Sequence, residues 1–534
     1  MLLITDKTKF ILKTFSILFL LAWYCFLVLG PINLTTADLG RHLKNGELIV
    51  EQAQDSQAVR KILNTGFYSY THPDFPFINH HWGSGVVFYF LHKFIGFNGL
   101  SVFYILLLVT TFLCFLAVSY KHSGFLIACM LAFFVIPILA ERREIRPEIF
   151  GYLFLAVFVV IIDLWERDKI NTRWLYSLPV LGFLWINLHI SFFFGLLYIF
   201  VVIFEKIILI YFSIKKDTAL KIKSEIKILS KIGLAVLLAS LINPFGIKSV
   251  LYPLKIFENY GYKLIENQSV RFLENYGIYN SNFLLFKMIF ILLIVSFVLV
   301  FLVNKKKFSI RYFCMNVIFG ILSCLAIRNF VLFGYFAFLA LSYNIYILSL
   351  KKDNIFLSKG FAVFVVLILA GININQNFTF FMQRKDNLGS GLIRGINKSA
   401  EFIKQNNIKG AIFNNYDIGG YLIYHFYPEE KVFIDNRPEA YPAQFFQKIY
   451  IPMQEDPSTW DNFSEKYNFN VIFFQRNDLT GWAQNFLIQR VRDPLWSPVF
   501  VDNHVLIFLK RNEENKEVIK KYEIPKNWFT VRKS

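Results

Sequence analysis

Apolar runs long enough to cross a bilayer begin at Phe15, Leu100, Phe125, Ile149, Phe192, Phe283, Val331 and Phe361, and they constrain this chain more than any other feature. A hydrocarbon core of about 30 Å takes roughly 20 residues of α-helix. The composition agrees, with 55% hydrophobic residues and 62 Phe, a residue that costs little in lipid and much on a wet surface. The formal net charge of +19 would suit nucleic acid. Its Lys residues, however, cluster in short loops between apolar runs, as topology signals do, so the bilayer is the expected partner and nucleic acid is not. Cys25, Cys114, Cys129, Cys314 and Cys324 all lie inside apolar runs without metal-ligand spacing. They read as small core residues, and no disulfide is expected.

The runs predict about eleven transmembrane helices. Basic residues orient them: Lys121, then Arg167, Lys169 and Arg173, then Lys215 to Lys231, Lys305 to Arg311, and Lys351 with Lys352 mark cytoplasmic loops. The N-terminus is then cytoplasmic and the tail extracytoplasmic. Lys7, Lys9 and Lys13 precede a first run that ends in Gly30-Pro31 without a small-residue cleavage site, which predicts a retained helix rather than a signal peptide. The expected division is a membrane domain over residues 1–372, including an outer loop over 33–85, and a soluble domain over 373–534. A second long outer loop runs from Asn243 to Asn282. Within the first, Asp38 to Gln54 has the pattern of an amphipathic helix lying at the interface.

Unusual polar residues gather at the outer helix ends. These are Asp38, Arg41 and His42; His80, His81 and Trp82; the run Glu141 to Glu148; Asn187 and His189; Asn243-Pro244; and Arg328-Asn329. Helix midpoints carry no ionisable residue, and no internal repeat is evident, which disfavours a transporter with midplane coupling groups. Plain structural readings exist for each feature. Asp38 suits a helix N-cap, His42 a packed interfacial histidine, and Arg142, Arg143 and Arg146 headgroup anchors. His72, Asp74, His80 and His81 lack metal-site spacing. Three guanidiniums on the outer side nevertheless run against the positive-inside bias, and they suit a phosphate.

The segments Asp38-Leu39-Gly40-Arg41-His42, His80-His81-Trp82 and Glu141 to Glu148 follow a layout that resembles the GT-C superfamily of membrane glycosyltransferases. The likeness is one of placement: first helix, large outer loop with an early Asp, then a charged turn after the third helix. It implies a GT-C-like helical membrane fold in a bacterial cytoplasmic membrane, and an inverting sugar transfer from a polyprenyl-phosphate-linked donor to a glycan, lipid or protein acceptor. Asp38 stands where the superfamily has its catalytic acid, and Glu141 and Glu144 where some members have a second acidic motif. Asp38 is expected to act as general base, with Glu141 or Glu144 holding the acceptor or a divalent cation. Arg142, Arg143, Arg146 or Arg328 would stabilise developing phosphate charge. Arg41, His42, His81 and His189 are expected to line the substrate site.

Beyond Asn373 the apolar runs shorten to strand length. Strands are expected over 411–413, 431–434, 471–474 and 505–509, and helices over 398–405, 444–450 and 482–490, together a small α/β domain. Asp435 and Arg437, just past an expected strand, are candidate ligand-binding residues or a structural pair, and Asp417 suits a helix cap. The alternative functions are a non-catalytic membrane scaffold whose tail binds a partner or envelope polymer, and a lipid-linked sugar transporter.

Overall fold

The computed structural model describes residues 6–211, 216–255, 258–349 and 388–529. Helices α1 (Asp6–Val28), α4 (Trp82–Ser123), α6 (Glu148–Glu166), α12 (Ser281–Asn304) and α14 (Phe330–Ser349), together with the Ile190–Tyr211 segment containing α8 (Phe193–Tyr211), are long and apolar enough to span a bilayer. Two shorter apolar helices, α5 (Phe125–Leu139) and α13 (Ile310–Leu325), pack among them, as do α7 (Ser177–Leu188) and α9 (Lys216–Ser240). Large apolar side chains stay exposed around the bundle, among them Phe15, Leu106, Leu126, Phe200 and Ile294. Such a surface fits lipid and not water. The chain is a multi-pass membrane protein. The expected helix from Phe361 and the expected boundary at 372/373 lie outside the described residues.

The bundle's two ends differ in chemistry. At the end carrying the basic loops, Arg311 bonds Glu166 and Glu205 at 2.7 Å each, and Lys206 bonds Glu166 and Glu225 at 2.7 Å. At the other end stand the two long loops. The first folds into α2 (Leu39–Glu51) and α3 (Ser56–Asn64). Helix α2 was expected at the lipid interface, but residues on nearly every side of it are buried, and it packs between α4 and the tail helix Gly419–Phe426. Glycines permit both approaches. A Cβ on Gly46 would collide with the Gly85 carbonyl of α4, and one on Gly40 would sit 2.7 Å from the Gly420 carbonyl oxygen. Gly96 takes φ +64 and breaks α4, so that its first part follows α2 and its second enters the bundle.

The tail carries a four-stranded mixed sheet of β1 (Ile412–Asn414), β2 (Val471–Gln475), β3 (Trp496–Val501) and β4 (Val505–Lys510), in the order β1-β2-β4-β3. Only β1 and β2 pair in parallel. Residues 431–434 are not a strand of this sheet. The side chain of Asn414 instead bonds the Phe433 N–H and the Ile434 carbonyl, supplying what a neighbouring strand would have supplied. Strand β3, whose register shifts between Pro498 and Phe500, had no counterpart in the sequence reading. The first outer loop joins this domain through bridges Ile32 to Leu392 and Ser69 to Val432, and through the Tyr70 hydroxyl, which donates to the Ile412 carbonyl at 2.8 Å.

Candidate active site

A cavity of about 440 Å³ lies where the outer loops meet the tail. The membrane part contributes Thr36 and Asp38, the turn Glu141 to Glu144 with Arg146, Tyr262 to Glu266, and Ile327; the tail contributes Tyr416, Asp417, Asn436, Gln475 and Asn477 to Thr480. The sequence candidates Asp38, Glu141, Glu144, Arg142, Arg143 and Arg146 therefore share one space.

Asp38 precedes α2 at the N-cap position but makes no capping hydrogen bond among the described residues. Its carboxylate turns to the cavity. Asn436 donates to Oδ1 at 2.5 Å, and Arg146 approaches Oδ2 at 3.5 Å. Arg41 is buried and donates from Nε to Asn436 Oδ1 at 2.9 Å, which fixes the amide so that its NH₂ faces Asp38. Arg41 thus orients the site without lining the cavity. Burial raises the Asp38 carboxyl above its ordinary pKa, and Arg146 and Arg41 pull it partly back.

The arginines are more committed than a phosphate clamp requires. Arg142 bonds Glu148 and Glu266, and Arg146 bonds Glu144 and Glu266 at 2.8 and 3.0 Å. Burial would raise the Glu266 carboxyl, but Arg142, Arg146 and Arg328 outweigh it and hold it far below the carboxylate range. Arg328 stands outside the cavity lining, donating to Asn267 at 3.0 Å and lying 3.9 Å from Glu266. Glu141 accepts from Asn280 at 2.7 Å and from Asn282. Arg143 and Lys263 also reach the cavity. Among the described residues no three His, Cys, Asp or Glu side chains converge as a metal site would require.

The other candidates lie elsewhere. Asp435 and Arg437 bind each other twice at 2.7 Å and are sealed, with Arg437 packed over the rings of Tyr68 and Phe77. They are a structural pair, and the residue between them is the one that faces the cavity. The Arg437 N–H bonds the Asp435 carbonyl at 2.9 Å, a tight turn centred on Asn436, and Asn436 lines the cavity while both its neighbours are sealed. His42, His81 and His189 form a buried group with His80, with ring centroids 5.5 Å from His42 to His81 and 5.0 Å from His81 to His189. Burial lowers the pKa of His42 and His81 well below the ordinary value and that of His80 to about 4, so these three are neutral packing groups.

Asp417 went unrecognised as a site residue. It is not the cap of Gly419–Phe426, which begins after Ile418 without a side-chain cap. Its carboxylate lines the cavity and makes no hydrogen bond or ion pair among the described residues. Burial, helped by Asp478, Asp38 and Glu144, pushes its pKa up to about 7. No motif in the sequence separates it from an ordinary loop Asp.

A bundle of apolar helices, a folded first outer loop carrying an acid at a cavity, and an α/β domain closing over that loop define a GT-C-like membrane fold. Solved oligosaccharyltransferases of Archaeoglobus fulgidus share it. The apo form matches with TM-score 0.56 at 10% identity over 87% of this chain and 69% of that one. Its form tethered to an acceptor peptide containing the NVT sequon matches at 0.54 and 9% identity, over 87% and 69%. The archaeal oligosaccharyltransferase AglB, in complex with an inhibitory peptide and a dolichol-phosphate, matches at 0.55 and 11%, over 92% and 73%. No family model matches the sequence, and no curated protein is similar to it.

Proposed function

We propose that this protein is a GT-C-type glycosyltransferase that moves a sugar from a polyprenyl-phosphate-linked donor to an acceptor in the cavity. The observation that carries the reading is the direction of the Asp38 carboxylate, which leaves its helix cap to face a cavity walled by both membrane loops and tail. Asp38 acts as general base on the acceptor, a contribution of about 10²–10⁴-fold, and attack opposite the leaving phosphate inverts the anomeric centre. The archaeal relatives of this fold, one of them solved with dolichol-phosphate, support a lipid-linked donor.

A second cavity supports the route for the lipid. It encloses about 810 Å³ between the outer ends of α1, α5 and α12, with Leu27, Pro137, Phe283 and Leu284 in its walls. Glu141, Arg143, Ile265 and Ile327 line both cavities. An isoprenoid chain among the apolar helix ends would bring its phosphate to Arg143, with Lys263 across the first cavity. Arg142 and Arg146 serve chiefly to hold Glu266 and Asp38.

The basic loops at the opposite end of the bundle support an orientation with the N-terminus cytoplasmic and the tail and cavity outside, and the proposed setting is a bacterial cytoplasmic membrane. The non-catalytic scaffold reading is favoured by the internal pairing of Arg142 and Arg146. One experiment separates the two. Purified full-length chain is incubated with labelled polyprenyl-phosphate sugars and an extract of envelope acceptors. Release of free polyprenyl phosphate from at least one donor is expected, and release from none contradicts the transferase.

A further inference from the structure

The tail wall of the cavity differs from the membrane wall. It is built from two loops, Asn415 to Asp417 after β1 and Arg476 to Thr480 after β2, at the carboxyl ends of the sheet's one parallel pair. Ligands of α/β sheets bind at such ends. Three lining residues there carry buried polar atoms without a hydrogen-bond partner among the described residues: Tyr416 Oη, Gln475 Oε1 and Thr480 Oγ1. Buried polar groups are nearly always partnered, and each exception calls for an explanation. Three in one wall point to a ligand that is polar and close. The Gln475 and Thr480 side chains are only half-buried, so a rotation about their side-chain bonds presents these atoms to the cavity.

The chemistry narrows the ligand. All three groups are neutral, two hydroxyls and an amide oxygen, and they offer both donors and acceptors. An aromatic face stands beside them, with Tyr262 stacked on Tyr416 at 4.3 Å between ring centroids. The acids of this wall, Asp417 and Asp478, oppose a phosphate or carboxylate there, and the cation Lys263 follows Tyr262 on the membrane side. An extended peptide would seek a free strand edge. Strand β2 lies between β1 and β4, however, and residues 433–434 already occupy Asn414 on the outer side of β1. Hydroxyl-rich rings meet neutral hydrogen-bonding groups and aromatic faces together.

We infer that the tail wall of the cavity at Tyr416, Gln475 and Thr480, with Tyr262 of the membrane part stacked beside it, is a binding subsite for a neutral carbohydrate. Calling that carbohydrate the acceptor rests on the proposed transferase, while its binding does not.

The test uses the full chain in lipid nanodiscs, titrated with maltotriose, cellotriose, chitotriose and mannotriose, and in parallel with an NVT-containing peptide and inorganic phosphate. Saturable binding of at least one trisaccharide is expected, weakened at least 10-fold in Gln475→Leu and Thr480→Val. Thr480→Val replaces a hydroxyl by a methyl group on a half-buried loop residue, and a melting temperature equal to wild type certifies its fold. Binding of none of the four, binding of the peptide or phosphate alone, or trisaccharide binding untouched by both substitutions would overturn the subsite. If trisaccharide binding behaves as expected while no lipid-linked donor is consumed, the transferase fails and the subsite stands. Donor consumption without trisaccharide binding has the opposite meaning.

Discussion

Two carboxylates line the cavity in different electrostatic settings. Asp38 is held by an amide and a guanidinium, whereas Asp417 has neither and sits among other acids. The Asp417 shift sets a stability prediction with a definite sign. Its folded pKa, about 7, lies above its ordinary value, so the folded chain binds the proton more tightly than the unfolded chain. The contribution of Asp417 to stability therefore falls as pH rises from about 4 to about 7 and is level above that. Asp417→Asn removes the fall. The variant should match wild type in melting temperature at pH 4 and exceed it at pH 8, by about 1 kcal/mol once solvent in the cavity is allowed for. At this scale the sequence was partly legible. Position after the first helix was enough to mark Asp38. In the segment Phe433 to Arg437 charge alone favours Asp435 and Arg437, whereas a tight turn closed by the Arg437 N–H on the Asp435 carbonyl leaves Asn436 at the cavity, and no sequence pattern marks that turn. Asp417 and the orphaned hydroxyls of Tyr416 and Thr480 carry no local pattern, and only the meeting of distant loops gives them meaning.

Helix α2 is the element on which the site turns, since Asp38 precedes its first residue and Arg41 lies in its first turn. Its packing depends on Gly46 against Gly85 and on Gly40 against Gly420. Gly46→Ala places a methyl group into backbone that has no flexible side chain to yield. It should cost about 1–3 kcal/mol and lower transfer activity by displacing Asp38, read together by thermal melts and initial rates. Gly46→Ser would act in the same direction. The helical pattern of residues 38–54 was visible in the sequence, and so was its amphipathic character. Its partner was not: a surface helix and one covered by a distant domain share one pattern of apolar spacing, and the tail that buries the second side lies almost 400 residues away.

Across the whole molecule, the membrane helices and the loop charges were legible because bilayer thickness and charge placement act along the chain. Strand pairing in the tail was less so, since Asn414 replaces a strand at 433–434 and the register of β3 shifts after Pro498. Neither part makes the cavity alone. A chain ending before residue 388 should still insert, but its first outer loop loses the contacts of Tyr70, Ser69 and Gly40 with the tail. Limited proteolysis should then cleave residues 39–81 at least 10-fold faster than in the full chain. The central claim is that Asp38 performs chemistry in a cavity completed by the tail. The most direct measurement is the rate of sugar transfer from the active lipid-linked donor by wild type and by Asp38→Asn, each in nanodiscs with matched melting temperatures. The account predicts a loss of at least about 100-fold with membrane insertion unchanged. Transfer by the variant within a few-fold of wild type would contradict it.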